Sequence, residues 1–224
     1  MTERVKFESK TGGTCDGEVA APAGGKGPGV VLVQEWWGVN AHIKDLAERL
    51  AKEGFLVIAP DLYDGKITKD AAEAGAMMQA LDTMDAVARI AGAVAWLKAD
   101  PRCTGKVGVT GFCMGGAMSL AAACHVPGLS GVVSFYGIPM PEKVDYAKAT
   151  APIQAHVAKH DQWVTVAKAE AVKDQLVKAG HGMDLHVYDA EHAFVNDTRP
   201  EVHHPENAKL AWGRMVAFFK QHLA

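Results

Sequence analysis

The chain has 224 residues, 49% hydrophobic and 22% charged, a balance that excludes collagen-like, coiled-coil and disordered proteins. Its formal net charge of −3 at pH 7 gives no electrostatic footprint for binding nucleic acid. The four cysteines, at 15, 103, 113 and 124, are too scattered for a disulfide scaffold. The first residues carry no apolar signal segment, so we expect a cytoplasmic protein with reduced thiols.

Short β-branched runs alternate along the chain with longer segments of helical periodicity. The predicted strands cover residues 5–9, 17–21, 29–34, 54–60, 106–111, 131–137, 152–158 and 184–189. The predicted helices cover residues 40–52, 82–98, 114–124, 167–179 and 206–222. One more helix is expected before the helix at 82–98, so that two helices separate the strands at 54–60 and 106–111.

The middle strands are almost continuously apolar, as is typical of parallel strands covered on both faces. The alternation therefore predicts an α/β fold, with a mostly parallel central sheet, helices on both faces and right-handed crossovers. A glycine-rich turn joins the first two strands, which indicates an antiparallel edge. The uncharged run 107–124 contains four glycines around a turn, so we predict a buried strand and helix and no membrane span. No linker or repeat divides the chain, and we predict a single domain over 1–224.

The most specific local pattern is Gly111-Phe112-Cys113-Met114-Gly115, which follows a strand and opens a helix rich in small residues. It has the form of the nucleophile elbow of α/β-hydrolases, with Cys in place of Ser. Chance would produce only about 0.04 such matches in a chain of this composition. The helix N-terminus is expected to favour the thiolate form of Cys113. The alternative is a buried structural cysteine in a glycine-rich turn.

An elbow of this kind requires an acid and then a histidine later in the chain. Asp161 follows the strand at 152–158, and His192 follows the strand at 184–189. Because the carboxyl ends of strands line the crevice of an open α/β sheet, we expect Cys113, Asp161 and His192 to converge. Cys113 would attack, His192 would relay the proton, and Asp161 would hold the imidazole tautomer. His160 is interpreted as an exposed loop residue, and no His or Cys spacing predicts a metal site.

The segment 34–40, Gln-Glu-Trp-Trp-Gly-Val-Asn, ends a strand and opens a helix. In α/β-hydrolases this loop supplies one amide of the oxyanion hole and the residue after the nucleophile supplies the other, which predicts the backbone N–H groups of Trp36 and Met114. Glu35 is a carboxylate placed directly after a buried strand. Either burial raises its pKa or a cation pairs with it, and the simplest alternative is an ion pair with a Lys or Arg of the following helix.

Five segments together resemble the dienelactone hydrolase family, the carboxymethylenebutenolidases. The five segments occur in the family's order over essentially the whole chain. They are the segment 34–40, Pro-Asp-Leu-Tyr at 60–63, Gly-Phe-Cys-Met-Gly-Gly at 111–116, His-Asp at 160–161 and Glu-His-Ala-Phe at 191–194. The resemblance implies a triad of Cys113, His192 and Asp161, and a Glu35 that contacts the resting thiol and helps to activate it. It also implies hydrolysis of a cyclic enol ester without a metal or an organic cofactor.

The chain departs from the family pattern where the substrate is held. The resemblance implies two arginines that bind the carboxylate of the dienelactone. One lies four residues after the catalytic histidine, where this chain has Asn196, and the other falls in the segment 70–82, which contains no Arg. Arg199 is close enough in sequence to substitute in part, so Asn196 and Arg199 are the predicted substrate-binding residues. An asparagine cannot replace the charge-assisted bonds of a bidentate Arg, so the substrate does not follow from the resemblance.

The sequence leaves two hypotheses. In the first, the chain is a monomeric hydrolase that cleaves a small ester or lactone through an acyl-cysteine, with no cofactor and no nucleic-acid or membrane partner. In the second, the fold persists in a non-catalytic or thiol-sensing protein that uses Cys113 as a reactive thiol. The missing arginines motivate the second hypothesis.

Overall fold

The computed structural model describes residues 1–224, and its centre is one eight-stranded sheet. The strands are β1 (Glu3–Glu8), β2 (Thr14–Ala20), β3 (Gly27–Val33), β4 (Leu56–Pro60), β5 (Cys103–Phe112), β6 (Gly131–Phe135), β7 (Ile153–Ala158) and β8 (Met183–Tyr188). Their order across the sheet is β1-β2-β4-β3-β5-β6-β7-β8. Only β2 runs against its neighbours, so the predicted antiparallel edge is confirmed.

Six α-helices cover the two faces of the sheet. They are α1 (Ala41–Lys52), α2 (Ala71–Ala80), α3 (Thr83–Ala99), α4 (Met114–His125), α5 (Val166–Lys178) and α6 (Pro205–Leu223). Side chains of α1 and α6 pack with one face of the sheet into a buried cluster of 29 residues. Side chains of α3, α4 and α5 pack with the other face into a cluster of 35. This is the predicted α/β-hydrolase architecture, including the two helices between β4 and β5.

Local chemistry sets several of these boundaries. The side chain of Asn40 accepts a hydrogen bond from the amide of Ile43 and begins α1. Pro205 occupies the first turn of α6, where its missing N–H costs nothing. Gly180, just after α5, has φ +85°, the left-handed conformation that a glycine commonly adopts after a helix.

Several strand boundaries differ from the sequence prediction, and three of them have a clear cause. Strands β3 and β5 begin earlier than expected because Gly27 pairs with Cys103 ahead of a register shift. Cys103 therefore begins β5. Strand β6 ends at Phe135 because the next residue, Tyr136, has φ +37° and leaves the extended conformation. No helix combines the length and the apolar character needed to cross a bilayer.

Candidate active site

The turn between β5 and α4 places Cys113 at the carboxyl edge of the sheet. Cys113 has φ +56° and ψ −117°, a region that side-chain-bearing residues rarely occupy, so its backbone is strained. A Cβ on Gly111 would lie 2.3 Å from the carbonyl oxygen of Gly115. A Cβ on Gly115 would in turn lie 2.3 Å from the carbonyl oxygen of Val33. The two glycines thus allow the sharp turn, and the second brings the end of β3 against the elbow.

The loops that follow β3, β5, β6, β7 and β8 lie side by side, because these five strands are consecutive in the sheet. They bring together the predicted residues of the site: Glu35 after β3, Cys113 after β5, Asp161 after β7 and His192 after β8. The charges of Glu35 and Asp161 both act on the pKa of Cys113, which places the three groups in one electrostatic cluster.

Asp161 and His192 form a direct hydrogen bond, with 2.6 Å between Oδ2 of the carboxylate and Nδ1 of the ring. The other oxygen, Oδ1, accepts from the backbone amides of Trp163 and Val164 at 2.8 and 2.9 Å. Burial alone would raise the pKa of Asp161, but the bonds from His192 and the two amides outweigh it and hold the pKa below its usual value. The carboxylate is therefore ionised and fixed, and Nε2 of His192 faces away from it.

Glu35 is buried, with 2% of its surface exposed. Oε2 accepts a hydrogen bond from Nδ2 of Asn196 at 2.8 Å, while Oε1 has no hydrogen-bond partner. Burial raises the pKa of Glu35 to about 7, against opposing contributions from Asn196 and the charge of Arg199. The alternative of an ion pair with the following helix is wrong, because the partner is a neutral amide. Glu35 consequently changes its charge close to neutral pH.

Cys113 as a whole residue is partly exposed at the carboxyl edge of the sheet. Desolvation by the surrounding protein and the charge of Glu35 raise the pKa of Cys113 to about 12, although the amide of Met114 acts in the opposite direction. The amide at the helix N-terminus favours the thiolate, as expected, but desolvation outweighs its effect on the pKa. At neutral pH the resting group is a thiol.

Comparison with known proteins decides the family. The model of the dienelactone hydrolase family matches residues 15–223. The chain belongs to the dienelactone hydrolase family. It is 31% identical to a carboxymethylenebutenolidase of Pseudomonas sp. (strain P51), over 99% of this chain and 96% of that one. It is 37% identical to protein usf of Aquifex pyrophilus, over 100% of both chains. The solved structure of a dienelactone hydrolase-like promiscuous phosphotriesterase, P91, from metagenomic libraries superposes with a TM-score of 0.85 and 25% identity, covering 100% and 99% of the two chains. This chain is therefore a hydrolase.

In this dienelactone hydrolase family member, the two predicted oxyanion amides are free of backbone acceptors. The N–H of Met114 opens α4, where the first amides have no intrahelical partner, and it acts on the sulfur of Cys113. The N–H of Trp36 lies in the turn that the Gly38 amide closes onto the carbonyl of Glu35. No backbone acceptor therefore competes with a ligand for either donor.

The two predicted substrate-binding residues lie in different surroundings. Asn196 is 2% exposed, and its Oδ1 accepts from the amide and the hydroxyl of Thr198 at 3.1 and 2.6 Å. With its Nδ2 on Glu35, its amide is engaged within the protein and the geometry favours support of Glu35 over contact with a substrate. Arg199 is about one-third exposed and pairs with Glu201 at 2.8 Å, and its charge lowers the pKa of both Glu35 and Cys113.

Two aromatic residues of the site were missed from the sequence. Tyr136 contacts the His192 ring with 5.1 Å between centroids, and its hydroxyl is buried without a hydrogen-bond partner. Trp163 stands edge-on to the same ring at 4.9 Å, yet is 65% exposed. Tyr136 directly follows the end of β6, and Trp163 lies in the loop of Asp161 after β7. The ends of parallel strands, which located the other site residues, could therefore have pointed to both.

His160, as predicted, is an exposed residue, and it contacts Asp189. No group of three or more His, Cys, Asp or Glu side chains is arranged to hold a metal ion.

Proposed function

We propose that this hydrolase cleaves small esters or lactones through an acyl-cysteine intermediate, with Cys113 as nucleophile, His192 as proton relay and Asp161 as the group that orients the histidine. The observation that carries the proposal is the 2.6 Å bond between Asp161 and His192 beside a strained cysteine elbow. A fixed Nδ1–H on His192 leaves Nε2 as the basic nitrogen of the ring.

The reaction has two halves. As the sulfur of Cys113 attacks the carbonyl carbon, its proton passes to Nε2 of His192, and the N–H groups of Trp36 and Met114 bind the oxyanion. Collapse of the adduct breaks the ester bond, and His192 gives the proton to the leaving oxygen. Water then loses a proton to His192 and attacks the thioester, which releases the acid and returns the proton to sulfur.

Glu35 supports the first step in this proposal. A thiol with a pKa of about 12 is a poor nucleophile at neutral pH, so the attack needs His192 as the base and is helped by a second group that orients the thiol. The unpartnered Oε1 of Glu35 is a free hydrogen-bond acceptor in the same electrostatic cluster. The raised pKa of the thiol also argues against the thiol-sensing hypothesis, since sensor cysteines have low pKa values.

The test replaces Cys113 by Ala and measures hydrolysis of p-nitrophenyl acetate and of a dienelactone, the second because a relative is named carboxymethylenebutenolidase. We expect a loss of at least about 10³-fold in kcat/KM. Cys103→Ala, at a partly exposed cysteine outside the site, is the matched control and should retain activity. Mass spectrometry of the quenched wild-type reaction should detect one acyl group on Cys113. Unchanged turnover in the Cys113 variant would refute the proposal.

The thiol-sensing alternative predicts a different result. Its signature is fast alkylation of Cys113 by iodoacetamide at neutral pH, without turnover on a broad panel of esters. The hydrolase predicts alkylation that removes an activity already measured.

A further inference from the structure

An apolar cavity of about 330 Å³ lies at the same edge of the sheet as the candidate active site. Its walls come from the loop after β6, from the loop after β7 and from α5. Seven of its 11 lining residues are hydrophobic, and Lys168 is the one charged residue among them. Met140 and Trp163, both lining residues, are 57% and 65% exposed, which is unusual for side chains of this size. The volume is at the lower end of the range for small-molecule sites, about 300–1,000 Å³.

The cavity is built onto the residues that would carry out the reaction. The backbone amides of Trp163 and Val164, two wall residues, are the donors that hold Oδ1 of Asp161. The Trp163 ring contacts the His192 ring and also lines the cavity. Trp163 therefore connects the cavity to the His192 side of the site.

The opposite wall is tied to the nucleophile. Ile138, which lines the cavity, follows Gly137, and a Cβ on Gly137 would lie 2.2 Å from the carbonyl oxygen of Cys113. The walls of the cavity thus continue directly into the backbone around Cys113 and Asp161. The loop that forms this wall is therefore packed against the backbone of the nucleophile.

The proposed reaction decides which end of an ester would enter. The leaving oxygen must lie within hydrogen-bond reach of His192, because that ring gives it a proton. The acyl group stays on the sulfur, and its oxyanion points to the amides of Trp36 and Met114. The alcohol part therefore extends from the sulfur towards His192 and Trp163, the residue that also lines the cavity.

We propose that this cavity is the subsite for the alcohol part of the substrate and that it takes an uncharged, apolar alkyl or aryl group. The inference rests on the proposed function and deepens it. Nζ of Lys168 donates to the carbonyl of Trp163 at 2.8 Å, so the one charged lining group is engaged with the wall. A subsite of this kind favours an open-chain ester with a sizeable alcohol over a small lactone.

The test measures kcat/KM for two ester series. One varies the alcohol of an acetate ester from methyl to hexyl, and the other varies the acyl group of a methyl ester over the same lengths. The wild type should gain up to about fourfold in kcat/KM for each methylene of the alcohol until the cavity is filled. The acyl series should show no such gain from this cavity.

Filling the cavity should remove the preference. Ala171→Trp and, independently, Gln175→Trp place an indole in the cavity from α5 without touching Asp161 or His192. Each should lower the ratio of kcat/KM for hexyl acetate to that for methyl acetate at least tenfold, mainly through KM. Lys173→Trp, an exposed position of the same helix outside the cavity, is the control and should leave the ratio unchanged.

The outcomes separate this inference from the proposed function. Ester cleavage with no dependence on alcohol length, or filling variants that change the acyl series instead, overturns the subsite and leaves the hydrolase intact. An equal effect of Lys173→Trp also overturns the subsite. A wild-type enzyme that cleaves a dienelactone but no ester of either series also overturns the subsite alone. One that cleaves neither a dienelactone nor any ester overturns the proposed function, and the subsite with it.

Discussion

Glu35→Gln should stabilise the protein at alkaline pH and have little effect at acid pH. In the wild type, burial raises the pKa of Glu35 from 4.5 to about 7. A carboxyl with a raised pKa binds more protons in the folded state than in the unfolded state between those two pH values. Stability is therefore lost as the pH rises through this window. The glutamine side chain has no charge to desolvate, and its oxygen can still accept the bond from Asn196.

The magnitude follows from the shift in pKa. At 1.36 kcal/mol for each pKa unit, the ionised wild type is destabilised by about 3 kcal/mol above pH 7 relative to its protonated form. We expect Glu35→Gln to exceed the wild type in free energy of unfolding by about this amount at pH 8. The difference should be close to zero at pH 4.5, where both side chains are neutral in the folded state.

The assay is urea unfolding of both proteins at a series of pH values between 4.5 and 8.5, with the difference in free energy of unfolding plotted against pH. Glu170→Gln, an exposed position of α5, is the control and should show no trend. A difference that stays constant with pH, or a wild type that is the more stable protein at pH 8, would refute the reasoning. The same variant should lose hydrolase activity, because Glu35 no longer assists the thiol.

Three further predictions concern the site and the elbow. Asp161→Asn should lower kcat/KM by about 10³–10⁴-fold with an unchanged circular dichroism spectrum, because the amide no longer fixes the active tautomer of His192. Asn196→Leu removes the donor to Glu35 and should move the acid limb of the pH–rate profile up by about one to two units; an unmoved limb would exclude Glu35 as the titrating group. Gly115→Ala should destabilise the protein by about 3 kcal/mol or more in thermal unfolding, because the new Cβ would lie 2.3 Å from a backbone oxygen. The control is Gly213→Ala, in a helix with open space around it, which should not destabilise the protein.

Much of the fold could be predicted because its signals are local. The apolar strands, the helical periodicity and the glycines after helices each depend on a few neighbouring residues, and they gave the order of the elements. The early starts of β3 and β5 could not be predicted in this way, since Gly27 and Cys103 become strand residues only by pairing with each other. The early end of β6 likewise depends on the strained conformation of Tyr136 in its tertiary setting.

The candidate site likewise has residues that local sequence signals could predict and residues that only tertiary contacts reveal. The chain order of Cys113, Asp161 and His192 was visible in the sequence, because each follows a strand end and the elbow requires glycines at fixed positions. The roles of Asn196 and Trp163 were not visible. Asn196 contacts Glu35 across 161 positions of sequence, and Trp163 meets His192 across a helix and a strand.

The sequence by itself determined the family, the α/β architecture and the residue types available for chemistry, because backbone geometry and hydrophobic periodicity are written in short segments. Only the tertiary structure decided the protonation of those residues. The pKa of about 12 for Cys113 and of about 7 for Glu35 arise from desolvation by side chains distant in sequence. The cavity beside Trp163 is likewise enclosed by three separate segments. The electrostatic environment of a group and the shape of a cavity both depend on residues that are distant in sequence and come together only when the chain folds.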